Sequence, residues 1–422
     1  MPHDSASTGH PSRHTAAQRD ALRTAATTLV TNGHTTTGTI NALTDLGGRW
    51  GLDLTVVPTW DHTAIIDRED GTTLTIAPTA PAAVNMHAVA GAMKTLTAAT
   101  GPDQAPPNAA ELSAQLKRDA ERPPYPDLIF AAACITGACA LAVIFGSRAP
   151  LEFALIAAAA GGGGLARRAA GRHGVGLFGQ AFLAALIGAL TASAAHALAP
   201  GATSLLVALC PAMVLVPGPH LLNGMLDLAG RHISLGLARI AYALIILAAI
   251  CTGLVIGLAP IGGLPPSSLP LPAPPAAIDI LAAAVAAASY PVYFGLRPRH
   301  IVWPVLAGAA AHGAHYLCIN QLHTSNALSV FVSCLVAGLL LGPVAHRQHL
   351  PFAGIGFAAV VALVPGVYVF RTVSGMVQMA RTPTTDLLVA TAGDFATATV
   401  MTAAMGAGLV LAHRITRSRA AS

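Results

Sequence analysis

Leu215-Val216-Pro217-Gly218, followed by Gly224-Met225-Leu226-Asp227-Leu228-Ala229-Gly230-Arg231, returns later as Leu363-Val364-Pro365-Gly366, followed by Gly375-Met376-Val377-Gln378-Met379-Ala380-Arg381. Both copies interrupt apolar segments, and the interval is 148 residues at the Pro-Gly and 151 at the Gly-Met. Proline removes a backbone donor and clashes with the preceding turn, so within lipid it persists only where protein or water satisfies the freed carbonyl. Paired interruptions at matching places in two halves point to the binding site of a transporter.

Composition agrees with a membrane setting. The 422 residues are 54% hydrophobic and 10% charged, with a mean hydropathy of +0.62; soluble domains carry roughly 25% charge. Residues 1–127 hold thirteen of the eighteen acids and nine of the twenty-three basic residues. The remainder holds Glu152, Asp227, Asp279, Asp386 and Asp394 against fourteen arginines and no lysine. That split predicts an acidic soluble domain followed by a membrane domain. The pI near 9.1 therefore does not indicate nucleic-acid binding, because the excess arginine lies between apolar segments and orients them. Cys134, Cys139, Cys210, Cys251, Cys318 and Cys334 form no CxxC pair and read as small core residues. No secretory signal is visible, so the soluble domain is expected in the cytoplasm.

Along the chain, residues 1–14 read as disordered and residues 1–100 as a small α+β domain. Helices are predicted over Ala16–Val30, Thr37–Gly48 and Asn85–Ala99, with strands at LTVVP, TAIID and TLTIA. Residues 101–127 read as a helix-containing linker. Ten α-helical transmembrane spans follow, five over 128–258 and five over 276–412, separated by the proline-rich connector 259–275 and ending in a basic tail at 413–422. Five spans per half reverse the direction of entry into the membrane, so the two halves are expected to form an inverted repeat.

Arginine placement gives the orientation. With the N-terminus cytoplasmic, inner loops and tail carry Arg167, Arg168, Arg172, Arg231, Arg297, Arg299, Arg347, Arg414, Arg417 and Arg419, and outer loops only Arg148, Arg371 and Arg381. This is a positive-inside bias. Both termini are then cytoplasmic, in an inner-membrane, multi-pass protein.

Four stretches carry a resemblance: LVTNGHTTTGTINALTDLGGRWGL near the start, APTAPAAVNMHAVAGA at 77–92, VPGPHLLNGMLDLAGRHISLGLARI at 216–240 and ALVPGVYVFR at 362–371. Together they resemble the bacterial threonine/serine exporters. The third stretch is the most specific, because proline, glycine, asparagine, aspartate and arginine recur there in order. The resemblance implies a cytoplasmic N-terminal domain, ten spans, export of L-threonine and L-serine, and coupling to protons; no ATP-binding motif is present.

The residues of the third stretch can also be read directly. Pro217 frees the carbonyl of Met213, Gly218 lets the backbone leave the helix, and a new helix is expected near Asn223, its unpaired N–H groups facing a carboxylate. Pro365 and Gly366 would do the same in the second half. A kinked helix relieved for packing is the plainer alternative. Asn223 supplies a donor and an acceptor, or else an N-cap. Asp227 could hold a substrate ammonium or a proton, or sit in a loop paired with Arg231. Arg239 needs Asp227 or a ligand carboxylate, unless it snorkels to the interface.

Asp394, the deepest acid, is a candidate proton carrier or cation ligand, against a structural hydrogen bond to nearby threonines. His312 and His315 share one face of a span, with Cys318 a turn away; metal binding, proton relay and plain packing all fit that spacing. Asp279 and Glu152 read as interfacial. The glycines at 161–164 permit close helix contact within the chain or in a homo-oligomer and are not a phosphate loop. In the soluble domain Trp50, Trp60, Asp61, His62, Asn85 and His87 suggest a hydrolase, but no nucleophile motif accompanies them.

The favoured function is therefore a proton-coupled exporter of threonine and serine, with no cofactor and no metal. In that reading Asn223 and Arg239 serve the substrate carboxylate, Asp227 the ammonium, and Asp394 the proton, with the histidine pair next in line. Export of small dicarboxylates such as succinate, and an intramembrane enzyme with a hydrolase-like domain, are the competing readings.

Overall fold

A computed structural model describes residues 14–80, 84–101, 103–121, 125–198, 205–262 and 274–421. The chain divides into two compact units, one of Met1–Pro81 with Ala88–Arg122 and one of Ala82–His87 with Pro123–Ser422.

In the first unit, helices α1 (Ala16–Thr31), α2 (Thr36–Arg49), α3 (Met86–Ala99, from Ala88 onward) and α4 (Ala109–Ala120) accompany a three-stranded antiparallel sheet. Its strands β1 (Leu54–Pro58), β2 (His62–Asp67) and β3 (Thr73–Pro78) lie in sequence order. Each of the predicted strands and helices is present to within a residue or two. Thr15 caps α1 by accepting from the Gln18 amide while the Gln18 side chain accepts from the Thr15 amide, a reciprocal cap that fixes the helix start. Leu22, Leu29, Leu43, Leu46, Ile65, Leu96 and Leu116 form the core.

Two expectations change here. Residues 109–120 are no linker segment: α4 puts Leu112 and Leu116 into that core, and Lys117 and Ser113 bond to Asp20 of α1. The expected disorder of residues 1–14 falls outside the described residues except at His14, which is buried and paired with Asp67 at 3.0 Å.

The second unit is helical throughout. Its first half runs α5 (Asp127–Ile144), α6 (Pro150–Arg172), α7 (Leu177–Leu198), the short α8 (Leu206–Met213) with α9 (Gly218–Ala229), and α10 (Ile233–Leu258). The second half runs α11 (Ala276–Tyr293), α12 (Val302–Asn320), α13 (Asn326–Gln348), α14 (Phe352–Val360) with α15 (Gly366–Met379), and α16 (Thr385–Ala421). Neighbours recur in the same order: α5 packs on α6, α6 on α7, α7 on α8 and α10, and α9 on α10, while α11 packs on α12, α12 on α13, α13 on α14 and α16, and α15 on α16. The two halves meet along α5 and α11 and where α9 lies against α14.

Among the described residues six helices are long and apolar enough to cross a membrane each, and the two bent pairs raise this to eight. The ten expected spans exceed that because α6 and α12 fall outside the six. Helix α6 is diluted by Gly161–Gly164 and carries Glu152, Arg167, Arg168 and Arg172, and α12 carries Pro304, His312 and His315. Most of the proline-rich connector lies outside the described residues; Ala259–Ile261 form a single 3-10 turn. The basic tail is no separate segment, since α16 continues unbroken to Ala421.

The placement of α4 can be tested in the full chain. Leu116→Ala should cost about 2–5 kcal/mol of local stability, read as lost hydrogen-exchange protection of α1 and α4 amides, with the membrane helices unchanged.

Candidate functional site

The site is built on the two breaks. Helix α8 ends at Met213, α9 starts at Gly218, and the two meet at 52°; helices Phe352–Leu363 and Gly366–Met379 meet at 68°. Each proline ends its segment as its chemistry requires. The carbonyl of Met213, left without its helical donor by Pro217, accepts a hydrogen bond from the hydroxyl of Tyr290 on α11 at 2.9 Å. Tyr290 is fully buried, so a buried donor and a buried acceptor satisfy one another.

The breaks also lie against each other. A side chain at Gly218 would run into the ring of Phe357 on α14, and one at Gly366 would meet Met213 of α8 at 3.3 Å. Each glycine therefore admits the segment that precedes the opposite break. Helix α9 begins at Gly218, five residues before the expected start near Asn223. Pro217 is the N-cap, and Pro219 in the first helical turn has the fixed φ that suits a helix start, so Asn223 lies mid-helix and is not an N-cap.

His220, Asn223 and Asp227 stand three, then four, residues apart on α9 and are all buried, as helical spacing on one face demands. Asp227 pairs with Arg239 of α10 at 2.9 Å, with both side chains 4% exposed or less. It is thus no loop residue and its partner is not Arg231; nor does Arg239 snorkel. The His220 ring packs edge-on against Tyr242 of α10 with centroids 5.2 Å apart.

The second half places its charges with the opposite order. Arg371, expected in an outer loop, lies within α15 and pairs with Asp394 of α16 at 2.9 Å. Acid on the helix after the break and arginine on the next helix become arginine on the helix after the break and acid on the next. The alternative of a threonine partner for Asp394 gives way to this ion pair.

His312 and His315 do not converge with Cys318 into a ligand set. His312 bonds to Asp279 of α11 at 3.1 Å and His315 to the hydroxyl of Ser329 on α13 at 2.8 Å. Their rings are 6.1 Å apart. Asp279 is thereby part of an internal contact, and buried Glu152 accepts from Ser147.

Among the described residues the one three-group cluster with metal-like spacing is His14, Asp67 and Asp70 of the first unit. Its members already have partners: His14 pairs with Asp67, and Asp70 accepts from the amide and hydroxyl of Thr72. Of the residues that hinted at a hydrolase, Trp50 donates to the Pro107 carbonyl, Arg297 bonds to His87, and His62 pairs with exposed Asp61. The His62 contact holds the Asp61 carboxyl below its ordinary range. The hydroxyl beside this pair is that of Thr59, 3.0 Å from the His62 ring and 3.3 Å from Asp61; it also donates to the His62 carbonyl at 2.8 Å, the pattern of a turn bond at the start of β2.

Sequence reasoning missed Tyr290 and Arg371. For Arg371 a signal existed, since it stands five residues after Gly366 as Asn223 stands five after Gly218. For Tyr290 there was none: its role depends on α11 packing beside the break.

Broken apolar helices carrying buried, mutually neutralising charges define a multi-pass membrane transporter. Two family profiles match: one described as "Putative threonine/serine exporter" over residues 20–260 and one as "Threonine/Serine exporter, ThrE" over residues 279–415. The chain belongs to the threonine/serine exporter family. No curated protein and no solved structure matches it.

Two substitutions probe the site's physics. Tyr290→Phe should lower stability by about 0.5–1.5 kcal/mol by removing the shorter of the two hydrogen bonds to the Met213 carbonyl and leaving only the 3.4 Å bond from the Val216 amide, seen as a fall in Tm of the purified protein. Asp227→Asn should cost about 3–5 kcal/mol because Arg239 is left buried and alone, whereas Asp227→Leu with Arg239→Met should recover most of that loss. Equal losses in the single and double variants would contradict the pairing.

Proposed function

We propose that the protein exports L-threonine and L-serine across the inner membrane in exchange for protons. The observation that carries this is the buried Asp227–Arg239 pair beside the first break. One acid and one arginine form a neutral set, and a zwitterion is its electrical complement: the substrate ammonium can replace Arg239 at Asp227 while its carboxylate takes Arg239, with no net charge added to a low-dielectric site. Asn223, one turn away on the same helix, adds a donor and an acceptor able to hold the carboxylate or the hydroxyl. A dicarboxylate brings two negative charges to this pair and leaves Asp227 facing one of them, so succinate is the poorer fit.

In this reading ten helical segments, the two broken ones included, cross the membrane as a five-plus-five inverted repeat. The recurring order of neighbours and the matching position of the break in each half support it. Both termini lie in the cytoplasm. The Asp227–Arg239 pair then occupies the inner half and the Arg371–Asp394 pair the outer half, with the crossed breaks between. Asp394 carries the proton: arriving from outside, a proton neutralises the acid and releases Arg371, and its departure restores the pair. His312 and His315 are the second candidates for this task.

The test uses purified protein in liposomes. Wild type should concentrate threonine when a proton gradient is imposed, with succinate transported poorly. Asp394→Asn should abolish this concentration yet retain threonine exchange, and Asp227→Asn should weaken threonine binding about tenfold or more, equivalent to roughly 1.4 kcal/mol. Concentrative transport by Asp394→Asn would remove Asp394 from the coupling step, and a preference for succinate would overturn the substrate assignment.

A further inference from the structure

Arg167 differs from the arginines discussed so far. On the same helix, Arg168 and Arg172 both reach Asp127, at 2.8 and 2.6 Å. Arg239 has Asp227 and Arg371 has Asp394. The groups that act electrostatically on Arg167 are Cys134 and Arg168, neither of them an acid. Its guanidinium lies over the ring of Tyr293 at 4.8 Å from the centroid, and Tyr293 stacks on Phe130 at 5.1 Å.

A ring beneath a guanidinium stabilises its flat face but leaves the N–H groups around its edge unsatisfied. The Nη1 atom of Arg167 is sealed from solvent and has no hydrogen-bond partner among the described residues, and the hydroxyl of Tyr293 is in the same condition. Two buried donors from neighbouring side chains, one of them cationic and without an acid, call for an acceptor carrying negative charge. A carboxylate provides two acceptor oxygens and the charge.

Location identifies which carboxylate. Tyr293 lies one helical turn after Tyr290, with ring centroids 6.4 Å apart, and Tyr290 holds the Met213 carbonyl at the first break. Helices α5 and α6, which bear Phe130 and Arg167, both pack on α8. In the orientation proposed above, the C-terminal ends of α6 and α11 are at the cytoplasmic side. A carboxylate at Arg167 would therefore stand where substrate enters, two tyrosines from the break.

We propose that Arg167 and Tyr293 form a carboxylate-binding vestibule that captures the α-carboxylate of the amino-acid substrate on its way to the broken helices. The proposal rests on the exporter reading and adds to it a site distinct from the Asp227–Arg239 pair. Because it acts in capture and not in passage through the centre, it governs the concentration needed at the cytoplasmic face and leaves the maximal rate alone.

Inside-out membrane vesicles carrying the full chain expose that face and allow threonine uptake to be followed against threonine concentration. Arg167→Gln should raise KM about tenfold, with the maximal rate within about twofold of wild type. Arg167→Lys should recover part of the loss, and Tyr293→Phe, which keeps the ring and removes only the hydroxyl, should raise KM by a smaller factor. Threoninol, which lacks the carboxylate, should inhibit wild type and Arg167→Gln to the same degree. Absence of threonine uptake by wild type would sink the exporter reading itself. Normal wild-type uptake with an unchanged KM in Arg167→Gln and Tyr293→Phe would overturn the vestibule alone. A defect in Arg167→Gln that appears or vanishes with the phosphatidylglycerol content of the vesicles would also overturn it, since the anion would then be a lipid phosphate.

Discussion

A chain that crosses lipid must satisfy its own backbone, and a proline in mid-segment makes that impossible from within the helix. The first break leaves the Met213 carbonyl exposed inside the protein, and a tyrosine from the other half of the chain answers it. Much else follows from that contact. It ties α11 to the end of α8. At Gly218 the ring of Phe357 occupies the space a side chain would need, and at Gly366 Met213 leaves only a tight fit.

Charge is handled by the same rule of mutual satisfaction. Near each break one acid and one arginine come as a pair drawn from adjacent helices, although arginine outnumbers acid in both halves as a whole. The order of the signs is reversed between the halves. In a carrier that must open to both sides of the membrane, two such pairs on opposite sides of a crossing would give the two openings different chemistry, one suited to a zwitterion and the other to a proton.

How far the sequence alone could be read depended on how local each feature was. The strands and helices of the first unit follow from period and turn residues, and Glu69-Asp70-Gly71 marked the β2–β3 turn before any contact was known. The breaks were legible because proline acts on its own helix. Asp227 could be named as a partner for Arg239 since charge in an apolar run is conspicuous and needs neutralising, but Arg231 and a ligand stayed open as rivals, and the five-residue error at Gly218 left Asn223 open as a cap it is not. Tyr290 was invisible, because an aromatic in an apolar helix has no pattern that distinguishes packing from bonding. Helix α4 was misread for a similar reason: Leu112 and Leu116 sit in a charged, proline-flanked stretch, and only their burial against α1 makes them core.

Helix α16 runs without interruption from Thr385 to Ala421. Asp394 lies in its first third, paired with Arg371, and Arg414 near its far end reaches the carbonyl of Ala229, the last residue of α9. Twenty residues of helix separate those two anchors, about 30 Å at 1.5 Å per residue. One continuous helix thus carries both the acid paired with Arg371 in the second half and a contact to the helix that bears Asp227 in the first.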